Sequence, residues 1–328
     1  MNIENDKGFS GIKNLGNTCF LNSCIQILSH TYELNNLINN ISMGIDIDTI
    51  AADEDTDQKN GEQNYDKQDA LLTKEYNDLI QLMWKQNVII TPNRFLSVLQ
   101  YVARIKNKEI FTGFAQNDAT EFLQFLMDCL ENVCAKDDSH RRKINDIFYG
   151  KLISTICSIN EGEPPKIVSK QSEPFFILNV PIPHKNNGTL SPTIKDCIAK
   201  FTDCEVLDGD NKWYNENTKQ YEEVIKKYDF ETFPQILVIT LKRFHNINKN
   251  DVLVLFDEIL EFCDENHVKY ELYGVCNHYG NAFFGHYTAF VKHNSGQWIH
   301  FNDHSVEKVT EFSSIVTSNA YCLFYRKV

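Results

Sequence analysis

The chain has 328 residues, 42% of them hydrophobic and 23% charged, with a formal net charge of −13. It is long enough to bury a full core in one large domain or two. The acidic balance excludes the basic surface of a nucleic-acid protein, and no apolar run approaches the ~20 residues that a bilayer-spanning helix needs.

The opening "MNIENDKGFS" is polar and carries no hydrophobic signal core. Ten cysteines are too sparse and irregular for a disulfide framework. Reduced thiols and an intracellular location, cytoplasmic and/or nuclear, are therefore expected. A monomer is expected, with no membrane or nucleic-acid partner.

In "KNLGNTCFLNSCIQ", residues 13–26, Leu21, Cys24 and Ile25, with Leu28 just beyond, recur at helical spacing. They predict a helix over about 18–30 with one buried face. Asn14, Gly16 and Asn17 are turn and cap residues, which puts Cys19 in or beside the first turn. Unpaired N–H groups and the positive end of a helix dipole favour a thiolate there, and the same amides can stabilise an oxyanion. A small buried hydrophobe is the other reading of a free cysteine, and this stretch alone leaves both open.

The acidic, aperiodic stretch "DIDTIAADEDTDQKNGEQNYDKQ" predicts a mobile insertion over about 43–68. Helical spacing returns in "QDALLTKEYNDLIQLMWKQ" and "TPNRFLSVLQYVA". It is clearest in "DATEFLQFLMDCLENV", where Phe122, Phe125, Leu126, Cys129, Leu130 and Val133 make one stripe. At the head of that helix Asp118 and Glu121 have the spacing of a capping box. From about Phe148 short β-branched and aromatic runs take over: "KLISTICSI", "FFILNVPI", "QILVITLKRF", "VLVLF", "VKYELYGVC", "HYTAFVKH", "QWIHF" and "AYCLFYRKV". Helices followed by strands indicate an α+β architecture, with a cleft where the halves meet.

A thiol nucleophile needs a base, and the base an orienting group. Among ten histidines His286 stands apart, because the glycine-bearing loop "GNAFFG" delivers it to the start of an alternating strand. Sixteen residues on, "WIHFND" ends another strand with Asn302 and Asp303. A hairpin of these strands brings that pair to His286. Taken singly, a strand histidine and an ordinary turn are the simpler readings.

Taken together, the segments resemble one family. "GIKNLGNTCFLNSCIQ" is similar to the cysteine box of the ubiquitin-specific proteases, and "GHYTAFVK" with "WIHFND" to their histidine box. "QNDATEFLQFLMDCL" resembles their QQDA box with Asn117 in place of one glutamine, and "FPQILVITLKRF" and "AYCLFYRK" resemble their palm strands. The motifs follow the family's order from Gly11 almost to the C-terminus.

The resemblance implies a papain-like cysteine protease fold in a single domain, residues 1–328. A helical thumb would cover 1–147, and β-rich fingers and palm 148–328, with the fingers over about 149–230. It implies a deubiquitinating thiol protease that cuts after the C-terminal glycine of ubiquitin, with ubiquitin and ubiquitinated proteins as partners. Cys19 matches the nucleophile, Asn14 the oxyanion donor and His286 the general base. Asn302 stands in the third catalytic position, and Asp303 beside it is expected to supply the charge an asparagine lacks. Asp118 and Glu121 match acids that grip the arginines of ubiquitin's tail, and Tyr287 matches a residue lining the tail's channel. Gly280 and Gly285 are small residues of the kind hinges use, which would let the loop between them close over the tail.

One departure stands out. Many family members bind zinc in the fingers through two CxxC pairs, yet "TICSINEG" keeps only Cys157 and "DGDNKWYNENTK" has no cysteine. Cys204 has no partner two or three residues away. Four ligands are needed, so metal-free fingers and no cofactor are expected. Two alternatives share the fold: a protease for another ubiquitin-like modifier, and a catalytically inactive ubiquitin-binding scaffold. Intact Cys19, Asn14 and His286 count against the scaffold.

Overall fold

The computed structural model describes residues 6–44, 61–113, 115–159, 164–183, 191–263, 267–281 and 283–328, with 61–66 as helix backbone. At its centre lies α1 (Cys19–Ser29), whose residues are all buried. The helix expected to bury one face is therefore enclosed on every side. Several of its polar groups are met internally, as burial demands. Gln26 Nε2 donates to Ser10 O at 2.7 Å, and Ser29 Oγ to Gln26 O at 2.7 Å.

Among the described residues this half also holds the α-helices α2 (Tyr32–Ser42), α3 (Gly61–Lys85), α4 (Asn93–Ile105), α5 (Ala119–Cys134) and α6 (Asp138–Phe148). α3 begins inside the stretch read as an insertion, so residues 61–68 are helical; the rest of that reading, 45–60, lies outside the described residues. α5 buries the predicted stripe from Phe122 to Val133.

β1 (Gly11–Ile12) and β2 (Ile89–Ile90) form a short parallel pair. Beyond α6 comes a four-stranded sheet of β3 (Gly150–Ser158), β4 (Ile167–Phe175), β6 (Glu205–Leu207) and β9 (Val224–Thr232), in the order β4-β3-β9-β6. A hairpin of β7 (Trp213–Asn215) and β8 (Gln220–Glu222) lies between its last two strands in sequence. β5 (Ile177–Val180) joins the large sheet and α7 (Ile194–Thr202) packs on it.

The large sheet holds β5, β10 (Ile236–Leu241), β13 (Ile259–Phe262), β14 (Val268–Gly280), β15 (Gly285–Lys292), β16 (Trp298–Asn302), β17 (Ser305–Val309) and β18 (Ala320–Lys327). Its order is β17-β16-β15-β14-β18-β10-β5, with β13 on β14, and β10–β5 is its parallel pair. A two-residue pair, β11 (Phe244–His245) with β12 (Asn248–Lys249), follows β10. Contrary to expectation, "VLVLF" forms no strand beyond an isolated bridge from Leu255 to Thr193. Its apolar residues instead cover the sheet, where Val254 and Phe256 join the second core.

Two cores flank the large sheet. On one face α1 and the other helices of the first half pack against Val238, Cys276, Ala289, Val291 and Phe324. On the other, α7 and Val254 meet Leu237, Ile239, Leu241, Val275 and Leu323. β10 is covered on both faces, so "ILVITL" is buried at every position rather than alternately.

One buried group ties this core to pH. His30, at the C-terminal end of α1, is fully buried among Trp84, His293 and Phe301. Burial pushes its pKa down to about 3, against the carbonyl of Gln26, which favours the proton. A depressed histidine contributes stability that is whole above its ordinary value near 6.5 and lost as pH falls. Between pH 6.5 and 5, unfolding should therefore become easier by up to about 1.4 kcal/mol per pH unit from this residue. Denaturant titrations across that range should show the slope, and His30→Phe should flatten it even where its stability at pH 8 is lower. Equal slopes in the two proteins would assign the acid sensitivity elsewhere.

Candidate active site

Cys19 is the first residue of α1 and only 3% exposed. The turn before it is wound around the Asn14 side chain. Asn14 Oδ1 accepts from Gly16 N and Thr18 N, each at 3.1 Å, and from Thr18 Oγ1 at 3.3 Å. Leu15 N donates to Thr18 Oγ1 at 2.9 Å. Gly16 and Asn17 are left-handed, with φ of +98° and +57°, which glycine and asparagine tolerate best. The turn thereby delivers Cys19 to a helix start, whose first N–H groups lack intrahelical partners.

His286 and Asn302 come from β15 and β16, an antiparallel pair in which Ala289 faces Phe301. This is the hairpin predicted from spacing. His286 Nε2 lies 2.7 Å from Asn302 Oδ1. An amide oxygen only accepts, so Nε2 carries the proton and the other ring nitrogen is left for Cys19. The imidazole pKa is raised to about 9, foremost because the Cys19 side chain is its hydrogen-bond partner. Burial opposes the rise; Asn302 and then the charges of Cys19 and Asp303 add to it. The site favours an imidazolium beside the sulfur.

Asp303 sits elsewhere than on the ring. Left-handed at φ +50°, it turns its carboxylate toward the Cys19 loop. Oδ2 accepts from Asn14 Nδ2 at 3.1 Å and Oδ1 from Asn22 Nδ2 at 2.7 Å, while its carbonyl accepts from Ile12 N at 2.9 Å. Its influence on His286 is the least of the causes named above. Asn22, one turn along α1 from Cys19, was missed in the sequence, although a polar residue in an apolar helix is a signal.

A cleft of about 380 Å³ lies between the helical half and the large sheet, lined among others by Gln116, Asp118, Glu121, Phe244, Tyr287 and Tyr321. Asp118 is the N-cap of α5, accepting from Thr120 N at 2.7 Å and Glu121 N at 3.2 Å. Its other oxygen accepts from Tyr321 OH at 2.7 Å and Tyr287 OH at 3.4 Å. Glu121 is held above the usual carboxylate range by burial and by the neighbouring Asp118, with Lys108 acting against both. Two acids at one cleft wall make a ready site for a cationic side chain. Gly280 is left-handed at φ +103°, and a Cβ there would lie 2.3 Å from Phe284 O; one on Gly285 would lie 2.0 Å from His278 Nε2. Close approach accounts for both glycines. Tyr321 and Gln116 escaped the sequence reading, though Gln116 stands inside a motif that was read.

Among the described residues no group of three or more His, Cys, Asp or Glu is arranged to hold a metal. Cys157 lies on β3, and Cys204 just before β6. Among them, too, no helix is long and apolar enough to cross a membrane.

A family model described as ubiquitin carboxyl-terminal hydrolase matches residues 10–325. Human ubiquitin carboxyl-terminal hydrolase 2 is 33% identical over 368 residues, covering 99% of this chain and 56% of that protein. Ubiquitin carboxyl-terminal hydrolase 4 of Saccharomyces cerevisiae (strain ATCC 204508 / S288c) is 28% identical over 375 residues, covering 97% of this chain and 39% of that protein. The chain thus spans about half, or less, of the length of these curated relatives. Among solved structures, the SAGA Ubp8/Sgf11/Sus1/Sgf73 module bound to ubiquitin aldehyde superposes with a TM-score of 0.70 at 24% identity, covering 100% of this chain and 71% of that one. That likeness concerns the fold.

Proposed function

The chain belongs to the ubiquitin carboxyl-terminal hydrolase family, and on that premise we propose that it is a thiol-dependent deubiquitinating peptidase. It hydrolyses the peptide or isopeptide bond after the C-terminal glycine of ubiquitin. The observation that carries this reading is the pairing of Cys19, at a helix start, with an imidazole raised to about 9 and fixed by Asn302 at 2.7 Å.

The Cys19 thiolate attacks the glycine carbonyl. The oxyanion is held by the free N–H of Asn14 Nδ2 and by amides at the start of α1. His286 gives its proton to the departing lysine amine, then takes one from the water that opens the thioester. Asn302 keeps the ring in the tautomer this exchange needs.

Ubiquitin ending in an electrophile should form a covalent adduct at Cys19, with the matching probes of other ubiquitin-like modifiers reacting at least tenfold more slowly (roughly the discrimination a charged tail contact supplies). Preferential reaction with another modifier would reassign the substrate. Ubiquitin binding without any adduct would favour the inactive scaffold.

Asp118 and Glu121 are read as the acids that meet the basic tail, and the cap and the tail role coexist because Asp118 makes the cap through one oxygen while both acids line the cleft. Glu121→Lys should raise KM for ubiquitin substrates by roughly tenfold or more, the worth of a charge-assisted contact. Stability should change little, because the Asp118 carboxylate makes the cap. Ubiquitin with its tail arginine changed to glutamate should recover part of the loss. A melted protein with an unaltered KM at low temperature would leave Glu121 a structural residue only.

A further inference from the structure

Gln116 and Gly285 are 169 residues apart in the chain and meet at the cleft. A single amide makes two bonds. Gln116 Nε2 donates to Gly285 O at 2.9 Å, and Gly285 N donates to Gln116 Oε1 at 2.8 Å. The planar carboxamide matches the donor and acceptor of one glycine as a neighbouring strand would.

The position of the two residues gives the clasp its meaning. Gln116 comes two residues before Asp118, the N-cap of α5, and α5 packs with α1, whose first residue is Cys19. Gly285 immediately precedes His286 and is the first residue of β15. The loop between β14 and β15 is bonded mainly to itself. Asn281 Oδ1 accepts from Phe283 N at 2.8 Å and Phe284 N at 3.0 Å, and Asn281 N donates to Phe284 O at 2.9 Å. Phe283 and Phe284 themselves are 63% and 75% exposed, so side-chain packing does little to hold this loop. Among the described residues, the bonds of Gln116 to Gly285, where the loop ends, tie this end of β15 to the helical half.

We propose that Gln116 is a positioning residue for His286: by gripping both backbone groups of Gly285, it sets the imidazole of the palm against the thiol of the thumb. The inference rests on the thiol-peptidase reading above. Such a residue acts on the chemical step more than on binding, because a base displaced from its reacting geometry lowers turnover steeply.

Two variants and two readouts test it. Gln116→Ala removes both bonds; kcat should fall by roughly tenfold or more, with KM within about twofold of wild type. By NMR, the titration midpoint of the His286 ring should fall below the wild-type value, since Cys19 is the chief support of its charge. Gln116→Glu is the sharper case. Ionised, it repels the Gly285 carbonyl; protonated, its carboxyl donates and accepts as the amide does. Its activity relative to wild type should therefore recover as pH falls toward its own pKa, above the ordinary value of about 4.3 because acids face it. Gln116→Ala should not recover. The titratable groups that line the cleft with Gln116 are Asp118 at the cap of α5, Glu121 of α5, His278 of β14, Tyr287 of β15 and Tyr321 of β18, and His286 follows Gly285 directly. All are common to the three proteins, so the ratio to wild type removes their titration.

Unchanged kcat with a lower KM in Gln116→Ala would make the clasp a latch that substrate opens, and would overturn the proposal. So would equal losses in both variants at every pH. If wild type fails to process ubiquitin at all, the peptidase reading falls, while the His286 midpoint still decides whether Gln116 positions the ring.

Discussion

Cys19→Ala should abolish turnover, by roughly 10⁴-fold or more, and leave the affinity for ubiquitin nearly intact. The thiol forms its bond only on the way to the transition state, so its loss costs kcat rather than ground-state binding. Cys24, the other thiol on α1, cannot take over. It is fully buried, its Sγ donates to Ala119 O at 3.4 Å, and burial raises its pKa. An unreactive thiol facing the core has neither access nor a base. Steady-state hydrolysis of a fluorogenic ubiquitin ester or amide, with calorimetry of ubiquitin binding to the variant, measures both parts. Residual turnover within tenfold of wild type would place the chemistry on another residue.

The second large effect is expected at Asp303, through Asn14 rather than through the base. The carboxylate takes one hydrogen of Asn14 Nδ2 and so aims the other; Asn22 fixes the carboxylate from the opposite side. Asp303→Ala should leave the Asn14 amide held through its Oδ1 alone, with Nδ2 no longer aimed from the Asp303 side, costing up to about 10²–10³ in kcat, the worth of an oxyanion donor. Asn14→Ala should cost a similar factor. The double variant should lose little more than the worse single one, because both substitutions remove the same donor. Asn302→Ala and Asp303→Ala should instead multiply, since Asn302 acts on the ring and Asp303 on the amide. Had both served the imidazole, as the sequence suggested, their losses would overlap. A multiplicative Asn14–Asp303 pair combined with an overlapping Asn302–Asp303 pair would return Asp303 to the base. Rates under saturating ubiquitin substrate decide between these outcomes.

Much of the site was legible in residue order because its determinants are local. The left-handed turn at Gly16 and Asn17 is written in two residue types, and the helix start follows within a few positions. The stripe of α5 and the hairpin that pairs His286 with Asn302 rest on periodicities that short-range geometry enforces. Family motifs then joined these local pieces, and the shared fold carries them in the same order.

Other features depend on which distant segments meet. α1 was read as half buried because its spacing shows which residues are apolar, whereas enclosure on all sides follows from the sheet and helices that surround it. "VLVLF" has a strand's composition, but the covered face of the sheet, not a pairing partner, is what calls for its apolar residues. Helices α2, α6 and α7 are short and bury only three apolar residues each, and the strands β4 and β9 are largely exposed, since much of their surface faces water. Asp303 reaches Asn14 across 289 positions, and Gln116 reaches Gly285 across 169. No spacing rule spans such distances: the register of the sheet and the docking of helices on it select those partners.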